Sequence, residues 1–123
     1  MTQENLQVGV LGAGQMGIGI AQVAAQNGIS VLLGDVNLEN AERGKSKIAA
    51  QFKKQIEKGK LSASDSELAL SRIQPVESVA SFNSVQIAVE AVTENPTLKF
   101  KLFRQLDEVC KKEAILATNT SSI

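Results

Sequence analysis

Val8-Gly9-Val10-Leu11-Gly12-Ala13-Gly14-Gln15-Met16-Gly17 is the stretch that decides how this chain folds. Gln7 to Leu11 is a short apolar run ending in glycine, which reads as a strand. Three glycines follow in the order Gly-x-Gly-x-x-Gly, and then a segment of helical spacing. Gly12 permits a tight turn, Gly14 lets a ligand approach the backbone, and Gly17 allows the helix to pack closely on the strand. Free N–H groups at the start of that helix suit a pyrophosphate. Glycine turns between strand and helix are common, so the motif alone is weak. Asp35, eighteen residues beyond Gly17 and at the end of the next apolar run, strengthens it. A carboxylate there accepts hydrogen bonds from an adenosine ribose and repels a 2′-phosphate, which favours NAD. For Asp35 by itself the competing reading is an acid leading into a helix.

Working outward, two periodicities alternate along the whole sequence. Met16 to Asn27 carries an apolar stripe at Met16, Ile20, Val23 and Ala24, and Gly28 supplies a left-handed stop. Ile29 to Leu33 is a second strand. A long helix is expected from Leu38 to Lys58, capped by Asn37, turning Ala41, Ile48, Phe52 and Ile56 inward and ending at Gly59. Ser64-x-x-Glu67 reads as a capping box opening a shorter helix. A brief strand around Ile73 is limited by Pro75, and Gln86 to Val92 is another strand. Asn95-Pro96 then opens a helix with Leu98, Leu102, Phe103, Leu106, Val109 and Cys110 at helical spacing. Ile115 to Thr118 is the last strand. The expected fold is α/β, a Rossmann-like doubly wound parallel sheet. It has a long helical insertion after the second strand and is incomplete at its C-terminal edge. Ligands of such sheets bind at the carboxyl ends of the strands, where the strand order reverses.

Composition removes several classes of function. With 123 residues, 43% of them apolar and 21% charged, the chain makes one domain with a real core. Thirteen basic residues balance thirteen acidic ones, and the only aromatics are four Phe. Neither a basic field nor a stacking platform for nucleic acid follows from that. No apolar run reaches membrane-spanning length, and the N-terminus lacks the features of a signal or transit peptide, so a cytoplasmic location is expected. The single cysteine, Cys110, excludes an intrachain disulfide and multi-cysteine zinc patterns and reads as a small core residue. No metal site is expected. There is no histidine, hence no imidazole base.

Beyond the glycine turn, three groups of residues could carry chemistry. Lys45, Lys47, Lys53, Lys54, Lys58 and Lys60 form a basic series on and just after the long helix, which ordinarily is a solvated face. Glu90 and Glu94 flank the carboxyl end of the fourth strand, with Lys99 soon after. They are placed either to touch a nicotinamide ribose or to be surface charge near a helix N-terminus, where the dipole favours an acid. Within ATNTSSI, Ala117 to Ile123, the four residues Asn119 to Ser122 follow a core strand with small polar side chains suited to hydrogen-bonding a ligand.

The stretches VLGAGQMGIGIAQVAAQNG, KQIEKGK, VEAVTENPTLKFKLF and ILATNTSSI, taken together, resemble the NAD-binding domain of the L-3-hydroxyacyl-CoA dehydrogenase family. The likeness covers essentially the whole chain in order. It implies that Gly12, Ala13, Gly14, Gln15, Met16 and Gly17 hold the pyrophosphate of NAD and Asp35 the adenosine ribose. Glu94 and Lys99 would contact the nicotinamide side. Ser121 would lie between the nicotinamide and the substrate's 3-hydroxyl or 3-keto oxygen, with Asn119 beside it. Lys58 matches a lysine that contacts coenzyme A, whereas Gln51 stands where the family has a serine for the same ligand.

The family's histidine base, the glutamate that orients it and its helical C-terminal domain are expected beyond Ile123. The resemblance therefore implies the truncated NAD-binding front, residues 1–123, of a longer enzyme that is a homo-oligomer and interconverts 3-hydroxyacyl-CoA and 3-ketoacyl-CoA. By itself the chain is expected to be inactive. The competing expectation is a self-sufficient nucleotide-binding module with a sensing or scaffolding role.

Overall fold

The computed structural model describes residues 6–35, 37–77, 79–91, 96–110, 112 and 114–118. Strand β1 (Gln7–Leu11) leads into helix α1 (Gln15–Gln26), then β2 (Ser30–Gly34), α2 (Leu38–Glu57), α3 (Ala63–Ser71) and β3 (Ile73–Val76). A short 3-10 helix at Val79–Ser84 precedes β4 (Ile87–Glu90), α4 (Pro96–Val109) and β5 (Ile115–Thr118). All pairings are parallel and the order is β3-β2-β1-β4-β5. The chain moves from β1 toward β3 on one side and from β4 to β5 on the other. The order therefore reverses between β1 and β4, which opens a crevice at their carboxyl ends.

Each face of the sheet has its own core. Val8, Val10, Val31, Leu33 and Ile73 meet α1, α2 and α3 through Ala21, Ala25, Ile48, Phe52 and Ala69. On the opposite face Leu32, Val76 and Ala88 pack against Phe82, Val85 and Leu106. Burying a side chain such as Phe52 or Ile48 fully is worth about 1.5–3 kcal/mol. Ala41, Ile48 and Phe52 are buried as expected, with Ile56 half-buried on the same helix. The Asn37 side chain accepts from Asn40 N–H and caps α2, while Gly28 and Gly59 take positive φ as helix stops. Cys110 lies just past α4, its Sγ 3.6 Å from the Phe82 carbonyl oxygen. Burial, then the nearby Asp107, raises its pKa, which suits an inert packing thiol.

The apolar stripe of α1 is only partly buried: Ile20 and Ala24 pack against the core, while Met16 and Val23 are more than half exposed. Gly17, Ala21 and Ala25 face the sheet. The helix lies too close to the strands for larger side chains, and the stripe lines an apolar groove of about 610 Å³ with Val8 and Ile29. Helix α3 starts earlier than Ser64. Ser62 is its cap, accepting from Asp65 N–H at 3.1 Å, and Glu67 is exposed.

Pro75 does not limit β3, which continues through it to Val76. The Arg72 carbonyl accepts from Val31 N–H, so by alternation residues 72, 74 and 76 turn their backbone groups toward β2. Pro75 therefore points its missing N–H away from the sheet, on an edge strand, where a proline is tolerated.

Candidate functional site

Strands β1, β2 and β4 end at the same level. Leu11 pairs with Gly34 on one side and with Glu90 on the other. Gly12 N–H donates to the Gly34 carbonyl at 2.8 Å, and Ala91 N–H to the Leu11 carbonyl at 2.8 Å. The turn leaving β1 is thus pinned from both neighbours. Gly12 has φ of 121°, a conformation side chains rarely adopt, so the turn needs glycine there. A Cβ on Gly17 would lie 1.6 Å from the Gly12 carbonyl oxygen, which makes α1 and the turn one close-packed unit.

Gly14 is different. A Cβ there would meet nothing within 4 Å, so its hydrogen borders open space. Gly14 is also the N-cap of α1; no side chain bonds the helix start and no acid sits in the first turn. The first N–H groups of a helix have no intrahelical partner and carry its positive dipole end. Gln15 and Met16, the first two residues of α1, are exposed beside this space, while Ala13 is buried beneath it. The arrangement fits a pyrophosphate.

Asp35 follows β2 and is half-buried, and its Oδ2 accepts from Ala13 N–H at 2.6 Å. Asn37 takes the capping role, so Asp35 is not simply the acid that leads into α2. The bond holds its carboxyl group against the shoulder of the glycine turn. A glycine that sequence reasoning passed over helps to hold the turn from behind. A Cβ on Gly44 of α2 would come within 2.8 Å of the Ala13 Cβ, so the long helix touches the turn directly. A small residue seven positions beyond Asn37, on the stripe of Ala41 and Ile48, was the available signal.

Lys58 is not brought to this crevice. Gln55 of α2 meets Gln26, the last residue of α1, so the end of α2 lies at the amino ends of the strands. Lys58 caps that end, roughly 30 Å by helix rise from Asn37. The other lysines of the series are exposed apart from half-buried Lys45, as on a solvated face. Glu90 is fully buried, which overturns both surface charge and direct ribose contact as its role. Glu94, Asn119 and Ser121 lie outside the described residues, as does the side chain of Lys99, whose backbone is in the first turn of α4. Among the described residues no helix is long and apolar enough to cross a membrane.

Comparisons with known proteins agree with this geometry. The family described as "3-hydroxyacyl-CoA dehydrogenase, NAD binding domain" matches residues 7–123. A probable 3-hydroxybutyryl-CoA dehydrogenase of Deinococcus radiodurans is 47% identical over 118 residues, 96% of this chain and 42% of the relative. The 3-hydroxyadipyl-CoA dehydrogenase of Escherichia coli is 41% identical over 94% of this chain and 24% of its own length. Among solved structures, (S)-3-hydroxybutyryl-CoA dehydrogenase from Ralstonia eutropha superposes with a TM-score of 0.92 at 38% identity, covering 95% of this chain and 41% of that one. The chain thus spans about two-fifths or less of the length of these relatives. It belongs to the 3-hydroxyacyl-CoA dehydrogenase family, as its NAD-binding domain.

Proposed function

We propose that the chain is the NAD-binding part of an enzyme that interconverts 3-hydroxyacyl-CoA and 3-ketoacyl-CoA. The observation that carries this reading is the open N-terminus of α1 above Gly14, with Asp35 fixed at its side. The names of the relatives support the substrate class. Bound NAD supplies the hydride acceptor for the 3-hydroxyl carbon. The chain's own residues bind and orient. Gly12 to Gly17 offer backbone N–H groups to the pyrophosphate, and Asp35 takes the adenosine ribose hydroxyls. Glu94 and Lys99 meet the nicotinamide side. Ser121, with Asn119 beside it, hydrogen-bonds the substrate oxygen next to the nicotinamide. Lys58, far from the crevice, is assigned to a part of coenzyme A remote from the reacting carbon.

Residues 1–123 contain no imidazole to take the hydroxyl proton. In this reading the base comes from the remainder of a longer enzyme, together with a helical domain that closes over the acyl chain.

The cofactor side is tested by titration. NADH should bind more tightly than NADPH, whose 2′-phosphate would meet the Asp35 carboxylate. Asp35→Ala should weaken NADH binding by roughly tenfold to a hundredfold, the worth of a hydrogen bond to a charged group. Equal affinity for the two cofactors, with no loss on substitution, would remove Asp35 from the site.

A further inference from the structure

We propose that Gly44 of α2 is a positioning residue that sets the preference for NAD over NADP, by letting the helix close on Ala13 and so keeping Asp35 aligned. This rests on the reading that Asp35 takes the adenosine ribose.

A glycine inside a helix is less favourable than alanine, so Gly44, well within α2, needs a reason. Backbone conformation does not supply one. Among the described residues positive φ belongs to Gly12, Gly28 and Gly59, not to Gly44. What the position lacks is room. A Cβ there would stand 2.8 Å from the Ala13 Cβ and 3.3 Å from side-chain carbons of Ile18 and Leu33. The ends of the two longer side chains can yield by a few tenths of an ångström. An alanine methyl has no rotamer to move into, so only a backbone shift, of α2 or of the turn, would relieve that contact.

The two bodies in that contact hold opposite ends of one hydrogen bond. Ala13 donates its N–H to Asp35 Oδ2 at 2.6 Å. Asp35 in turn stands two residues before Asn37, whose side chain caps α2. A displaced turn moves the donor, and a displaced α2 pulls on the acceptor from its cap. Either shift misaligns the Asp35 carboxylate. A carboxylate of fixed direction separates ribose hydroxyls, which donate to it, from a 2′-phosphate, which it repels. One that swings aside loses the first contact and weakens the second. The bare Cα at residue 44 thus controls the adenosine end of the crevice from behind, without touching the cofactor.

NADH and NADPH are titrated into the 123-residue chain, Gly44→Ala, Ala13→Gly and the double variant Ala13→Gly/Gly44→Ala, with a thermal melt of each. Asp35→Ala is the reference for a lost preference. Gly44→Ala should lose about tenfold in NADH affinity and nothing for NADPH, so the ratio of the two affinities falls about tenfold. Ala13→Gly opens a gap between helix and turn and should also lower the ratio. In the double variant the methyl at residue 44 fills that gap from the other side, and the ratio should rise above that of Ala13→Gly alone. Neither of these two variants carries the 2.8 Å contact, so they decide the matter even if Gly44→Ala does not fold. Equal falls for both cofactors in Gly44→Ala, with a lower melting temperature, would show a merely structural role and overturn the proposal. So would an unchanged ratio in Ala13→Gly, a double variant no better than Ala13→Gly, or a double variant that does not fold. Full preference for NADH in Asp35→Ala would instead overturn the reading of Asp35 as the ribose ligand, and the proposal with it.

Discussion

Gly17→Ala should cripple the fold, while Gly14→Ala, three residues away in the same motif, should leave it intact and abolish tight NADH binding. The added Cβ at residue 17 would lie 1.6 Å from the Gly12 carbonyl oxygen. That is backbone held between hydrogen bonds to β2 and β4, so it has little room to yield. Overpacking ordinarily costs about 1–3 kcal/mol, and a collision with pinned backbone belongs at or above the top of that range. For a domain of this size about 3 kcal/mol is a fall of roughly 10 °C in melting temperature. At Gly14 a Cβ meets no protein atom, and φ of −79° suits alanine. The fold should change by no more than about 1 kcal/mol, the scale of an altered N-cap. The methyl group would occupy the space where a pyrophosphate approaches, and NADH affinity should fall by at least about tenfold. Melting curves and NADH titrations of the two variants give the answer. Gly17→Ala melting within a degree or two of the unaltered chain would mean that α1 does not sit as close to the turn as described.

The 123-residue chain alone should not reduce acetoacetyl-CoA with NADH at a useful rate. General acid–base catalysis is typically worth a factor of about 10²–10⁴, and this sequence has no histidine to supply it. Cofactor binding and turnover should therefore separate: NADH titrates the chain, yet its absorbance does not decay when substrate is added. Steady turnover by protein free of host dehydrogenase would show that catalytic groups are present within these residues. The proton-transfer role would then have to move to a lysine or carboxylate of this chain.

Much of the architecture was legible because it rests on local chemistry. The glycine turn, the Asn37 cap and the stops at Gly28 and Gly59 each act within a few residues, and the structure has them where the sequence placed them. The misreadings arose where a neighbour distant in sequence decides. Pro75 looked like a strand end because nothing local says that β3 is an edge. The stripe of Met16, Ile20, Val23 and Ala24 is the more apolar side of α1, but closeness to the sheet selects Gly17, Ala21 and Ala25. Serines at 62, 64 and 66 are alternative local caps, and it is Ser62 that caps α3. Glu90 read as a strand-end charge, and its burial depends on what packs over β4 from the 3-10 helix and α4. Gly9 carries no local signal either, yet the Phe82 ring lies where its Cβ would be.

Pro75 also gives the sheet a handedness of growth. With residues 73 and 75 turned outward, β3 offers a newcomer the amide of Ile73 but none at Pro75, an interrupted template. β5 has no proline between Ile115 and Thr118, and Ile115 is 62% exposed. Any strand recruited, from the same polypeptide or another molecule, would therefore register against β5. Recruitment would enlarge the wall on the β4 side of the crevice and leave the Asp35 side at its present width.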